Sequence, residues 1–173
     1  IIGKNKALIS VFPGSRKSEI TVLMPILLEF IKLMNKKYTD MTYVFHSTIE
    51  YSAFIKTFIN KSKLNNCEII SDNKIKAHIL HKSIFAVAKS GTVSLEICNS
   101  KIPSIILYKM NFLNFLIVKS LVKTKYANII NFAANEEIIP ELLQSNCSAK
   151  NIFKNVSFFL ENPNKMNEQV KKV

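Results

Sequence analysis

The sequence predicts one α/β domain in which helices cover both faces of a Rossmann-like parallel sheet. Three observations carry this prediction. Short apolar, β-branched runs alternate with segments whose apolar residues recur at helical spacing, and parallel strands need such helical crossovers to return the chain. The length of 173 residues suits one domain. With 48% hydrophobic and 21% charged residues, the composition excludes a disordered or fibrous chain.

The first strand and helix are separated by a tight polar loop. The pattern predicts a strand over Ala7–Phe12, which Pro13-Gly14-Ser15 stops, and a helix over Ile20–Met34. Pro25 lies inside that helical stretch. Because an interior proline removes one hydrogen bond and clashes with the preceding turn, we expect a kink or two short helices there.

The alternation then continues through the middle of the chain. Further elements are predicted, in order, as a strand at Met41–His46, a helix near Glu50–Asn60, a strand at Glu68–Ile70, a helix near Lys74–His81, a strand at Ile84–Ala88, a helix opened by Ser90-Gly91-Thr92 and ending near Cys98, and a strand at Ser104–Tyr108. The pattern thus gives four or five strands. From Asn111 onward the chain is predicted to be mainly helical.

The charge balance favours anionic partners. Lys and Arg number 24 against 12 Asp and Glu, a net charge of +12, and Arg16 is the only arginine. Phosphorylated ligands and acidic membrane surfaces fit this surplus. Nucleic acid is not expected, because no aromatic platform accompanies the scattered lysines. A lone arginine in a lysine-rich chain indicates a position where a planar, bidentate cation is needed.

The cysteines indicate a reducing compartment. Cys67, Cys98 and Cys147 are far apart and form neither a CxxC motif nor a disulfide framework, so we expect reduced thiols and a cytoplasmic protein. The chain begins at Ile1 without the pattern of a signal peptide, and we expect it to be a piece of a longer protein.

Two glycine clusters lie at the carboxyl ends of predicted strands, where ligands bind in open α/β sheets. In the first, Gly14 allows close backbone approach, Ser15 offers a hydroxyl and Arg16 can pair with phosphate. In the second, Ser90-Gly91-Thr92 has amides and hydroxyls that can hold a diphosphate. The alternative for the first cluster is a tight turn in which Arg16 pairs with Glu19. The alternative for the second cluster is an ordinary helix cap.

Together with residues 126–144, these segments resemble the lipid A disaccharide synthases, glycosyltransferases that join two acylated glucosamines. The matching residues span about 130 positions; they are Phe12-Pro13-Gly14-Ser15-Arg16-Lys17-Ser18-Glu19-Ile20, Ser90-Gly91-Thr92-Val93-Ser94-Leu95-Glu96, Pro103, Tyr108-Lys109, Leu121-Val122-Lys123-Thr124-Lys125-Tyr126, Asn131 and Ile139-Pro140-Glu141-Leu142-Leu143-Gln144. The sequence departs from the family pattern at Ile130, where proline is usual, and at Asn135-Glu136, where glycine and a basic residue are usual.

The resemblance implies that residues 1–173 form the UDP-sugar-binding C-terminal lobe of a GT-B glycosyltransferase, without the N-terminal acceptor lobe. The implied substrates are UDP-diacylglucosamine and diacylglucosamine 1-phosphate, at the inner-membrane surface. By the same resemblance, Gly14, Ser15, Arg16 and the Ser90-Gly91-Thr92 turn face the diphosphate, and Glu96 accepts from the ribose. Asn131, Glu141 and Gln144 are implied to line the nucleotide side. The catalytic base is expected on the other lobe.

No cofactor or metal ion is expected for this chemistry. Asp40 and Asp72 are the only aspartates and form no DxD pair, while His78 and His81 share a helix face without a third ligand. Arg16 is therefore expected to stabilise the leaving diphosphate in place of a metal. The alternatives are another GT-B protein, such as a UDP-sugar epimerase, and an inactive nucleotide-binding fragment.

An apolar strip over Met110–Val122 is the last feature of note. It is interrupted by polar residues and is too short to cross a bilayer. Phe112 and Phe115 beside Lys119 and Lys123 are compatible with a peripheral membrane helix. The same strip is equally compatible with burial in the core or in a homodimer interface.

Overall fold

Six strands form one parallel sheet in the computed structural model, which describes residues 7–110 and 126–173. The strands are β1 (Ala7–Phe12), β2 (Met41–His46), β3 (Cys67–Ile70), β4 (Ser83–Lys89), β5 (Ser104–Tyr108) and β6 (Glu141–Leu143). The helices of these residues are α1 (Lys17–Lys37), α2 (Ile49–Ser62), α3 (Asn73–Lys82), α4 (Val93–Asn99), α5 (Ile129–Ala134), α6 (Ala149–Glu161) and α7 (Pro163–Lys172). The predicted fold class is confirmed.

The strand order places a crevice at the centre of the sheet. The order is β3-β2-β1-β4-β5-β6, and every neighbouring pair is parallel. The chain adds strands in one direction from β1 to β3 and then returns to place β4 on the other side of β1. Helices on the two sides of this reversal leave the sheet in opposite directions, so the carboxyl ends of β1 and β4 border a ligand crevice.

Side-chain alternation along the strands builds a core on each face of the sheet. Ile9 and Val11 of β1 pack with buried residues of α1, α2 and α6. Leu8 points to the opposite face and joins Ile79 of α3. In β4, Phe85 belongs to the first face, whereas Ala86 and Ala88 pack on the opposite face in a cluster with Leu80 of α3 and Ile97 of α4. Burial on both faces explains why the central strands are mainly apolar.

Helix α1 is a single helix of 21 residues with Pro25 inside it, so the expectation of two short helices is wrong. Pro25 is exposed, and the carbonyl group of Thr21, which loses its partner at proline, lies on an exposed part of the helix where water can bind it. The opposite face buries Leu23, Met24 and Leu27 completely. Burial of this face outweighs the lost hydrogen bond.

The sixth strand was not predicted. Residues 126–173 are mainly helical, as expected, but Glu141–Leu143 pairs with the edge of β5 through Leu142 and Leu107. Three residues are too few to show an alternating pattern. The predicted strip Met110–Val122 lies almost wholly outside the described residues. Among the described helices, none combines the length and the apolar character needed to cross a bilayer.

Candidate functional site

A cavity of about 370 Å³ opens at the carboxyl ends of β1 and β4, and both glycine clusters border it. The sequence placed these clusters at strand ends, and the sheet brings the two strands side by side. Seven of the ten predicted site residues line the cavity, namely Gly14, Ser15, Arg16, Ser90, Gly91, Thr92 and Glu96. The two motifs therefore form one site.

The first loop has a conformation that requires glycine. Gly14 has a φ of 113°, and a Cβ atom added there would lie 2.6 Å from Oε2 of Glu19. The same Oε2 atom accepts a hydrogen bond from the backbone N–H of Ser15 at 3.0 Å. The Arg16 side chain is 80% exposed, and its Nη1 atom lies 3.9 Å from Oε1 of Glu19. The predicted pair of Arg16 with Glu19 thus exists, but it leaves most of the guanidinium group available to a ligand.

Glu19 and Lys89 connect the two loops, a link that the sequence analysis did not predict. Nζ of Lys89, at the end of β4, lies 2.8 Å from Oε1 of Glu19. Burial raises the pKa of Glu19, but hydrogen bonds from Lys89 and from the Ser15 backbone lower the pKa by more than burial raises it, so the net shift is downward. Glu19 therefore remains ionised at neutral pH.

The second loop is anchored by two serine hydroxyl groups. The Ser90 hydroxyl donates to the carbonyl of Ala127 at 2.8 Å, and the Ser94 hydroxyl donates to that of Gly91 at 2.7 Å. Helix α4 begins only at Val93, later than predicted. A Cβ atom added to Gly91 would meet nothing within 4 Å, so this residue faces open space.

Glu96 stands where the first cavity meets a second one of about 430 Å³. The two cavities share Phe12, His46, Asn73, Lys76 and Glu96 as lining residues. Glu96 is exposed, and its carboxylate forms no hydrogen bond or ion pair within residues 7–110 and 126–173. A carboxylate in this state can accept hydrogen bonds from hydroxyl groups of a ligand.

A buried polar chain lies beneath both cavities. Nε2 of His46 lies 2.8 Å from the Ser10 hydroxyl, which lies 2.7 Å from the Ser83 hydroxyl, and Ser83 donates to the carbonyl of Ile79 at 2.9 Å. Every hydroxyl is satisfied if Nε2 of His46 carries the proton and donates to Ser10. Phe12 stacks on the His46 ring with a centroid separation of 4.1 Å. His46 is thus held as a neutral residue at the base of the site.

Asn131 and Glu141 form a clamp behind the second loop. Glu141 accepts hydrogen bonds from the backbone N–H groups of Ala127 and Asn128 at 2.7 and 3.0 Å, and from Nδ2 of Asn131 at 2.8 Å. Asn131 is fully buried, and its Oδ1 atom accepts from the backbone N–H groups of residues 138 and 139. Through Ala127 the clamp reaches Ser90 and supports the site from behind.

Gln144 lies away from the cavity wall. It begins the 3-10 turn Gln144–Asn146 after β6, with a φ of 47°. Neither it nor Asn131 and Glu141 belongs to the described lining of the two cavities. Nucleotide contacts by these three residues stay a prediction. Asn135 adopts the left-handed conformation with a φ of 51°, which asparagine tolerates better than most residues other than glycine.

The cavity has the charge and polarity of an anion site. Arg16, Lys76 and Lys89 line it together with Glu19 and Glu96, so cations outnumber carboxylates. In residues 7–110 and 126–173 no group of three or more potential metal ligands comes together, and Asp72 is engaged as the N-cap of α3. The site can bind a phosphate-bearing ligand with arginine, lysine and backbone donors.

A parallel sheet with helices on both sides in this arrangement is the fold of sugar-nucleotide epimerases and of GT-B glycosyltransferases. The UDP-GlcNAc 2-epimerase of Neisseria meningitidis, solved with UDP-GlcNAc, superposes with a TM-score of 0.67 at 15% identity, over 99% of this chain and 40% of that one. The ADP-heptose LPS heptosyltransferase II of E. coli also gives 0.67, at 8% identity, over 94% and 49%. At such identities the likeness concerns the fold.

The chain belongs to the lipid-A-disaccharide synthetase family, whose sequence model matches residues 1–173. The lipid-A-disaccharide synthase of Rickettsia prowazekii is 37% identical over 172 residues, which cover 99% of this chain and 44% of the relative. That of Sulfurihydrogenibium sp. is 32% identical over 171 residues, covering 94% and 44%. The chain thus spans less than half the length of these relatives. The resemblance found in the sequence is confirmed.

Proposed function

We propose that this chain is the donor-binding half of a lipid A disaccharide synthase. The reaction transfers diacylglucosamine from its UDP derivative to diacylglucosamine 1-phosphate and releases UDP. One observation carries the proposal: Arg16 and the two glycine loops border a single cavity at the strand-order reversal. The family membership supports UDP-diacylglucosamine as the sugar nucleotide.

Each lining residue has a role in holding the donor. The guanidinium of Arg16 pairs with diphosphate oxygens, and the backbone of Ser90-Gly91-Thr92 donates to the same group. Glu96 accepts hydrogen bonds from the ribose hydroxyls. Negative charge grows on the diphosphate as the bond to the sugar breaks, so these donors favour departure of UDP without a metal ion.

The other parts of the reaction belong to the rest of the enzyme. An inverting transfer needs a base for the acceptor hydroxyl and a pocket for the acceptor. We assign both to the part of the relatives' length that this chain does not match. Because both substrates carry acyl chains and the net charge is +12, we place the enzyme in the cytoplasm, peripherally on the inner membrane. A homodimer stays a prediction.

Calorimetric titration of the 173-residue chain with UDP tests this proposal. Arg16→Lys keeps the charge but loses the bidentate fork, so UDP binding should weaken about tenfold. Lys17→Met is the control, because Lys17 is exposed at the start of α1 and lies over the Phe54 ring, outside the described lining. Equal affinities of the Arg16→Lys variant and the unmodified chain would remove Arg16 from the site. Failure of the unmodified chain to bind UDP would favour an inactive fragment.

A further inference from the structure

Lys89 has a place in the cavity that the proposed function does not yet use. It is the last residue of β4 and directly precedes Ser90-Gly91-Thr92. Its side chain is 21% exposed and lines the same cavity as Arg16. Its Nζ atom lies 2.8 Å from Oε1 of Glu19 and 5.8 Å from the centre of the Tyr108 ring. The ammonium group therefore stands between the two loops that border the ligand space.

Glu19 pairs with Lys89 but does not use all of the hydrogen-bond donors of its ammonium group. An ammonium group has three N–H donors, and Glu19 Oε1 is its one hydrogen-bonding partner in the described residues. Glu19 is itself fixed, because its other oxygen accepts from Ser15 and its side chain packs against Gly14. Lys89 thus has donors to spare and a rigid anchor.

Two cations meet at the one carboxylate. Arg16 approaches the same Oε1 atom at 3.9 Å that Lys89 approaches at 2.8 Å. One negative charge cannot neutralise both, so a positive charge remains at the point where the two loops face each other. A ligand with two or more negative charges would complete this arrangement.

We propose that Lys89 is a second diphosphate-binding cation, anchored by Glu19 and acting together with Arg16. This inference rests on the proposed UDP-sugar function. When the ligand binds, Lys89 keeps or exchanges its bond to Glu19 and donates to a phosphate oxygen. Glu19 continues to hold the backbone of Ser15, so the first loop keeps its shape. Glu19 is a positioning residue in this scheme, and Lys89 touches the ligand.

The test must distinguish two effects of removing Lys89: the loss of a cation that binds the ligand, and the loss of the ion-pair partner of Glu19. Lys89→Met alone removes the nearer of the two cations from a largely buried carboxylate, and this loss can by itself disturb the loop. Glu19→Gln avoids this problem, because the amide oxygen can still accept from Ser15 while the negative charge is removed. Comparing Glu19→Gln with the double variant Glu19→Gln/Lys89→Met therefore reports on the lysine only.

Calorimetric titration with UDP gives the decisive comparison. The double variant should bind UDP about tenfold more weakly than Glu19→Gln, the loss expected for one charge-assisted hydrogen bond. Glu19→Gln alone removes both a negative charge beside the diphosphate and the anchor of Lys89, so it serves only as the reference for the double variant. Lys89→Arg should stay within about threefold of the unmodified chain, because the charge and its reach are kept.

The outcomes distinguish this assignment from the function on which it rests. Equal UDP affinity of Glu19→Gln and of the double variant overturns the role of Lys89, while UDP binding by the unmodified chain still supports the proposed function. No UDP binding by the unmodified chain overturns both. Melting temperatures recorded on the same samples must show a cooperative transition for each variant, so that a loss of binding is not a loss of fold.

Discussion

The buried His46 makes the stability of the fold dependent on pH. Burial, and to a smaller extent the positive charge of Lys76, lowers the pKa of His46 from 6.5 to about 3. The unfolded chain has no such burial, so its imidazole takes up a proton near pH 6.5. Above that pH both states are neutral and His46 adds no pH dependence. As the pH falls below 6.5, protonation favours the unfolded state and stability is lost, until the folded pKa is reached.

The magnitude follows from the separation of the two pKa values. Each pH unit between them costs about 1.4 kcal/mol, so at pH 4.5 the loss from His46 is about 2.7 kcal/mol. A loss of this size is a large part of the free energy of unfolding of an ordinary domain. Carboxyl groups also titrate in this range, which is why a variant is needed to isolate the histidine.

His46→Gln is the appropriate variant, because a glutamine amide can donate to the Ser10 hydroxyl as Nε2 does, yet it does not titrate. Urea unfolding at pH 7.5 and at pH 4.5 gives the free energy of unfolding for each protein. The unmodified chain should lose about 2.7 kcal/mol more between these pH values than His46→Gln does. His81→Gln, at an exposed position of α3, should behave as the unmodified chain. Equal losses for the unmodified chain and His46→Gln would refute the assignment of a neutral, buried imidazole.

Two further variants test the second loop and its support. Gly91→Val should abolish UDP binding in calorimetry, because the added side chain occupies open space on the cavity side. The thermal transition should stay cooperative, because a Cβ atom at this position meets nothing within 4 Å. Retained binding would show that the loop is only a helix cap. Asn131→Leu should lower the free energy of unfolding in urea by about 2–4 kcal/mol, because it leaves the buried backbone N–H and carbonyl groups of Ile139 and part of Glu141 without a partner. A loss below about 1 kcal/mol would contradict the stabilising role assigned to the hydrogen bonds of Asn131 and Glu141.

The strand–helix alternation was predictable because the central strands are buried on both faces and carry continuous apolar runs. Five of the six strands were found in this way. The sixth, Glu141–Leu143, exists through its pairing with β5, and pairing between distant segments leaves no local pattern. Helix α1 runs through Pro25 for a similar reason, since its stability comes from tertiary burial.

The two loops of the site could be predicted from the sequence, but the side chains that hold the loops in place could not. Gly14, Arg16 and Gly91 stand out in a chain with three glycines and one arginine, and the strand order brings them together. Glu19 was expected only as a partner of Arg16, because its bond to Lys89 depends on the adjacency of β1 and β4. His46 ends a strand next to β1, and this position at a carboxyl edge was the one signal that could have identified it.

Mapping of UDP on the backbone amides by NMR tests the central claim most directly. With the 173-residue chain labelled with ¹⁵N, saturating UDP should shift the amide signals of residues 14–16 and 90–92, and those of Glu96, more than the signals of α6 and α7. Neither helix contributes to the described cavity lining. Helix α6 packs with α1 on one face of the sheet, and Gln169 of α7 hydrogen-bonds to the backbone of Ser104, the first residue of β5. Shifts centred on the two loops would establish the donor site at the β1 and β4 ends. Saturation with UDP without shifts in either loop would contradict it.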